Sequence, residues 1–382
     1  MTSNNPNTLL YINAEIGSVF RSQVAELLLY YEKNNLITEI YLLCGIKNKD
    51  QEIKVREIFK DSNIQLCFFK NYPNYFFFNI MQSNEISRKI RLLSLPKRRT
   101  IVHVRGELLA YHSAKGIKKY LGSLNTTLVD VRGAGWEETV EFQGGHSLKN
   151  KVKFINYRNT FKSLPLFGAI STVSESLKKY LLDKAPGIKK PIHIVHCLVS
   201  PNIHYSPSER KLIRDKFKLS DNDKMLIFSS GGTAAWQLTG ELSSLISEKW
   251  TILNLSPNKI ELKGVINDFV SYEKIGSYLS AADAALIFRS KSIVNKVACP
   301  VKFCEYLCAG LPVISDRNVD LINDYLRKTG FGIALDKSGD LIALPASSVF
   351  AGNRKEIQNA GRRSFGIEKI SRDYIDIYNA LT

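Results

Sequence analysis

The chain has 382 residues, 44% of them hydrophobic, and carries 53 Lys+Arg against 36 Asp+Glu, a formal charge of +17. At roughly 100–200 residues per domain that length points to two domains. The absence of any run of about 18 apolar residues excludes a transmembrane helix. No positive segment followed by a hydrophobic block opens the chain, so no secretory signal is read and a cytoplasmic location is expected; six cysteines in apolar settings such as YLLCG and HCLV make no disulfide framework.

Short apolar runs then alternate with amphipathic stretches. Strands are predicted at 8–14, 39–45, 64–70, 100–106, 126–133, 169–174 and 192–199. Helices are predicted at 22–34, 49–60, 76–93, 107–121, 150–164 and 175–183. The stretch GAGWEETVEFQGGHS (133–147) reads as a long polar loop, of the kind that is functional or mobile. Polar residues 200–211 with two prolines read as a connection. A second strand series follows at 224–232, 250–256, 264–270, 284–289, 311–316 and 331–336, and residues 367–382 have helical apolar spacing. Apolar strands alternating with helices imply parallel sheets covered on both faces. The expected fold is α/β, two Rossmann-like doubly wound domains over 1–200 and 201–366, facing a central cleft, with helix 367–382 packing back on the first. In such sheets ligands bind outside the carboxyl ends of the strands, so chemistry is sought there.

Residues at those ends are polar. His103 and Arg105 are two apart and project from one face of a strand, as do Asp130 and Arg132. Charged pairs at adjacent strand ends are costly without partners, and either a shared polar site or an internal Asp–Arg salt bridge would supply them. In the second half, Lys302 lies three residues before Glu305 on one helical face, and Arg289 ends a strand. Gly231 and Gly232, in SSGGTAAWQ after a strand, would let backbone approach a ligand. Asp221-Asn222-Asp223 reads as a turn, and His193 and His196 face opposite sides of a strand, so no metal site is expected.

Residues 281–314, AADAALIFRSKSIVNKVACPVKFCEYLCAGLPVI, resemble the donor-site signature of the retaining glycosyltransferase family 4, of GT-B fold. VHVRGELLAYHSAKG (102–116), TTLVDVRGAGWEE (126–138), IGSVFRSQV (16–24) and STVSESLKKYL (171–181) resemble the first half of bacterial members. The resemblance implies a glycosyltransferase that uses a nucleotide-sugar, a UDP- or GDP-sugar above all. Glu305 would accept two hydrogen bonds from the ribose diol. Lys302 and Arg289 would neutralise the departing diphosphate, with the helix N-terminus near Pro300 adding N–H donors. Tyr306 completes that motif. Gly17, Ser18, Gly231 and Gly232 would lie against the donor. Asp130, Arg132 and His103 would serve the reaction, and Arg105, Glu137 and Glu138 would meet the acceptor.

The leaving phosphate itself would help deprotonate the acceptor hydroxyl, so no dedicated base, cofactor or metal is expected. One departure is Val297, which stands where the family often has the first of two glutamates. The acceptor would be a glycan or a lipid-linked carrier in bacterial surface polysaccharide synthesis, capsule or lipopolysaccharide. Most of the basic excess, +13 of +17, lies before residue 200 and suits docking on an anionic membrane surface. No nucleic-acid-binding motif accompanies it. A nucleotide-sugar epimerase of the same fold, and a degenerate non-catalytic binding protein, are the alternatives.

Overall fold

A computed structural model describes residues 7–17, 19–73, 76–97, 99–145, 147–229, 250–336 and 353–382, with the side chains of 76, 77, 148 and 149 left aside. The chain divides into two compact units, one of Met1–Val195 with Ser371–Thr382, the other of His196–Ile370.

The first unit is built on seven parallel strands: β1 (Thr8–Asn13), β2 (Glu39–Ile46), β3 (Gln65–Lys70), β4 (Thr100–Arg105), β5 (Thr127–Val131), β6 (Ala169–Thr172) and β7 (Ile192–Ile194). Their spatial order is β3-β2-β1-β4-β5-β6-β7. The helices between them are α1 (Glu26–Lys33), α2 (Lys49–Ile58), α3 (Phe76–Leu93), α4 (Glu107–Gly116), α5 (Gly135–Phe142), α6 (Leu148–Ser163) and α7 (Glu175–Lys184), and α1 and α4 are each joined to a π-helical turn. The central strands β1 and β5 are buried at every residue, which is why their sequences are nearly unbroken apolar runs.

The second unit carries six parallel strands: β8 (Met225–Phe228), β9 (Thr251–Asn254), β10 (Val265–Asn267), β11 (Ala284–Ile287), β12 (Val313–Asp316) and β13 (Gly332–Leu335), ordered β10-β9-β8-β11-β12-β13. Leu226, Phe228, Trp250, Ile252, Leu286 and Ile314 form a core on this sheet. Its helices are α8 (Pro207–Lys216), α9 (Ile275–Ala281), α10 (Ile293–Lys296), α11 (Val301–Cys308), α12 (Asp320–Thr329) and α13 (Arg354–Phe365). The last helix, α14 (Ile367–Asn379), starts in the second unit and ends in the first. Both sheets reverse their strand order once, at β1/β4 and at β8/β11. Those reversals are the places where doubly wound sheets bind ligands.

Three expectations need correction. The stretch 133–147 is not a long loop, because α5 occupies its centre. Trp136 packs on Phe154 at a ring separation of 4.6 Å, and that anchor outweighs the flanking glycines. The units part at Val195–His196 rather than at residue 200. Residues after 195 are tied into the second unit, where the Val199 N–H donates to the Phe365 carbonyl at 2.8 Å. The strand expected over 192–199 is only three residues long for the same reason.

Gly361 sets the approach of α13 to α11. A Cβ at that position would lie 2.6 Å from the Leu307 carbonyl carbon. Gly361→Ala is therefore expected to lower stability by about 1–3 kcal/mol, the usual range for overpacking, read as a reduced melting temperature.

Candidate functional site

In the second unit, β11 runs out into Phe288 and Arg289 at the β8/β11 reversal. The Arg289 N–H donates to Asp316 Oδ2 at 2.5 Å, and Asn318 Nδ2 donates to the Arg289 carbonyl at 2.7 Å. The end of β12 thus fixes the backbone of Arg289. Its side chain is half-buried, and burial lowers its pKa. Among the described residues it has no carboxylate within ion-pair distance. Arg289 and Lys302 line one small pocket with Phe228, Ser229, Leu286 and Phe288. Two cations around one pocket suit an anionic ligand.

Pro300 caps α11 at its N-terminus in an extended conformation, where its missing N–H costs nothing. One turn on, Lys302 Nζ donates to Glu305 Oε2 at 2.8 Å, with the carboxylate side chain only 3% exposed. The two expected donor ligands therefore pair with each other. Tyr306 is fully buried, and its hydroxyl accepts the Ser229 N–H at 3.0 Å. Tyr306 thus ties the end of β8 to α11. Val297 is buried. Gly231 and Gly232 lie outside the described residues, as does Ser18 in the first unit.

The first unit holds a charged network at the ends of β4 and β5. Asp130 is its centre, with no exposed surface. Its Oδ1 accepts Ser171 Oγ at 2.8 Å, and its Oδ2 accepts the Tyr374 hydroxyl at 3.1 Å. Arg105 and Arg132 approach it at 3.6 and 3.5 Å, and His103 Nε2 at 3.6 Å. Arg132 Nη1 also donates to the Val195 carbonyl and to the Tyr374 hydroxyl, at 3.2 and 3.3 Å. The other ring nitrogen of His103 meets the Tyr378 hydroxyl at 2.6 Å.

Burial alone would raise the Asp130 pKa, but Arg132, His103 and Arg105 hold its carboxyl well below the usual range. Burial lowers the His103 pKa despite the carboxylate beside it. His103 and Asp130 expose nothing and lie against the two arginines, whose side chains are 10% and 14% exposed.

Gly17 lies shortly after β1, a strand of the β1/β4 reversal. Glu137 is committed elsewhere than the expected acceptor contact. Its Oε1 pairs with Lys184 Nζ at 2.7 Å, and Lys184 lies 5.1 Å over the Trp136 ring. Glu138 accepts Gln143 Nε2 at 3.0 Å, and burial raises its pKa. Sequence reasoning missed Glu107, buried at the start of α4, whose pKa burial pushes up to about 7. The available signal was its place directly after Arg105-Gly106, at a strand end. Asp223 closes a turn by accepting the Ser220 N–H at 2.6 Å. Among the described residues no three His, Cys, Asp or Glu side chains converge to hold a metal ion.

No protein family and no curated relative matches the chain by sequence. Solved structures do match it. A glycosyltransferase from Rickettsia africae superposes with a TM-score of 0.68 at 13% identity, over 99% of each chain. Anabaena HepE in complex with UDP gives 0.68 at 10% identity, over 97% of this chain and 98% of that one. WaaG, a glycosyltransferase involved in lipopolysaccharide biosynthesis, gives 0.60 at 12% identity, over 96% and 95%. With its two parallel sheets, each reversing strand order once, the chain has the two-domain α/β fold of the GT-B glycosyltransferases.

Proposed function

We propose that this protein is a retaining glycosyltransferase that moves a sugar from a UDP- or GDP-sugar to a glycan or lipid-linked acceptor in bacterial surface polysaccharide synthesis. The observation that carries this reading is the pocket at the β8/β11 reversal, where Arg289 and Lys302 lie together and Glu305 stands one turn along the same helix. Similar structures bind the same class of ligand: Anabaena HepE has been seen with UDP and with UDP-glucose.

Glu305 receives the ribose hydroxyls, and Arg289, Lys302 and the N-terminus of α11 receive the diphosphate. As the bond from the sugar anomeric carbon to the phosphate oxygen breaks, negative charge grows on that oxygen, and the fixed cations stabilise it. The acceptor hydroxyl bonds to the same face of the sugar and passes its proton to the leaving phosphate. No side chain is then required as base or nucleophile, and no metal is needed. In the first unit, Arg105 and Arg132 serve the acceptor side, oriented by Asp130.

A thermal-shift and product screen with UDP-, GDP-, ADP- and CMP-sugars tests the reading. One nucleotide should stabilise the protein, with slow release of nucleoside diphosphate from its sugar. Folded protein that responds to none would remove the proposal.

Peripheral docking at the inner face of the cytoplasmic membrane is part of the same reading. Apolar Ile80, Met81 and Leu92 are exposed on α3, and basic residues follow it in the sequence PKRR. Each cation near an anionic bilayer contributes about 1 kcal/mol. Neutralising Lys97, Arg98 and Arg99 together should weaken binding to phosphatidylglycerol vesicles on the order of 100-fold by that figure. Unchanged sedimentation with vesicles would remove the membrane proposal.

A further inference from the structure

The first sheet ends on β3, and among the described residues no strand lies beyond it. Asn71 donates its N–H to the Ile46 carbonyl of β2 at 2.8 Å. Successive residues of a strand turn their N–H and C=O groups to opposite sides. Gln65, Cys67 and Phe69 therefore share that ladder, and Leu66, Phe68 and Lys70 face outward. An edge row of this kind is a template for pairing with another strand. Here it is left open: a cavity of about 530 Å³ runs over β3 from Leu66 to Lys70.

Helices α2 and α3 form the walls of this groove. On one side the Arg56 guanidinium lies 4.8 Å over the Phe68 ring, and its Nε and Nη2 donate to Glu52 at 2.9 and 2.7 Å. On the other side stand Glu85 and Lys89. Glu85 is matched by Arg88, which donates to it at 3.0 and 2.9 Å. Both carboxylates of the groove are thus neutralised by arginines. Lys47, Lys70 and Lys89 line the same cavity and, among the described residues, make no ion pair.

We infer that β3 takes up an extended acidic segment of a partner protein as an added edge strand. Backbone pairing comes from the outward groups of Leu66, Phe68 and Lys70, and selectivity from carboxylates that meet the three lysines. A second copy of this chain is the poorer occupant. Two β3 edges laid side by side would bring the lysines of both copies together, and like charges across a ladder are destabilising. The inference goes beyond the transferase reading and does not depend on it, since no residue assigned to donor or acceptor lines this groove.

Cys67 gives a direct readout, because it lines the groove and is the one cysteine of six that is not buried. The test is alkylation of Cys67 by iodoacetamide in the full chain, together with hydrogen–deuterium exchange over β3. The probe is an acetylated hexapeptide of alternating Val and Glu, and its Val–Lys counterpart is the control. At saturation the Val–Glu peptide should slow both alkylation and exchange of the β3 amides on the order of 10-fold, and the Val–Lys peptide should slow neither. Lys70→Glu combined with Lys89→Glu should reverse that preference. Leu66→Pro removes one outward N–H and leaves the ladder to β2 in place, so it should weaken the Val–Glu peptide about 10-fold with every lysine present. A thermal melt will confirm that each variant is folded, and should Leu66→Pro fail to fold, the charge reversal decides. No protection by the Val–Glu peptide, equal protection by both peptides, an unchanged preference after charge reversal, or full affinity in folded Leu66→Pro would each overturn the inference. Protection of Cys67 by phosphatidylglycerol vesicles, with no slowing of amide exchange by either peptide, would also overturn it and assign the lysines to an anionic surface.

Discussion

Glu305→Ala is expected to weaken UDP or GDP binding on the order of 100-fold while leaving the chain folded. The proposed contact is two hydroxyls donating to one carboxylate. A hydrogen bond to a charged group contributes about 1.5–3 kcal/mol, so losing two accounts for that effect or more. The fold should survive because α11 keeps its apolar face of Phe303, Leu307 and Cys308, all with no exposed surface. Lys302, whose side chain is 19% exposed, can turn toward solvent once its partner is gone. Isothermal calorimetry with the free nucleotide gives the number. Glu305→Gln should fall between wild type and alanine, since an amide oxygen still accepts. If Glu305→Ala binds nucleotide as tightly as wild type, the nucleotide does not sit on α11.

Asp130→Asn is expected to lower stability by about 3–5 kcal/mol, the cost of leaving buried charge without its partner. Arg105 and Arg132 both depend on this one carboxylate, and it also receives hydroxyls from Ser171 and Tyr374. Its amide substitute has the same shape but no charge and one acceptor oxygen fewer, so the effect reads the charge and hydrogen bonding of the network and not a cavity. The pH dependence has a definite sign. Asp130 is held below its unfolded pKa of about 3.9, so its contribution is fully present above that value and is lost as pH falls further. Urea denaturation of wild type and variant should therefore differ by a constant amount from pH 5 to 7. The gap should close below about pH 4. A gap that stays constant down to pH 3 would mean that the carboxylate charge is not what stabilises the network.

Much of the architecture was legible because parallel strands covered on both faces leave unbroken apolar runs. TLLYIN and TLVDV could be little else than central strands, and the structure buries every residue of both. The ends of strands were legible for a different reason: charged residues such as Arg105, Arg132 and Arg289 punctuate apolar runs only where the sheet stops. What the sequence hid was long-range. Nothing near His103 or Asp130 announces that Tyr378 and Tyr374, more than 240 residues later, close over them. Pairing at that distance has no periodicity to read. Without those partners in view, the strand ends read only as a set of polar residues, and the depth at which His103 and Asp130 lie is not legible. The Glu137 ion pair is hidden over a shorter distance, since Lys184 reaches it from α7. Glu107 escaped notice because burial, the property that makes it unusual, is a tertiary fact.

The first unit is discontinuous in the chain: its last helical segment begins at Ser371, after the whole of the second unit. A ribosome adds roughly 5–20 residues per second, so the nascent unit waits on the order of ten seconds or more for that segment. Throughout this interval Tyr31, His103 and Asp130 lack the two tyrosines that pack on them. The folding of the first unit is thus tied to completion of the second, and a chain stopped short of Tyr374 would present to chaperones and proteases a sheet whose charged centre is still open to water.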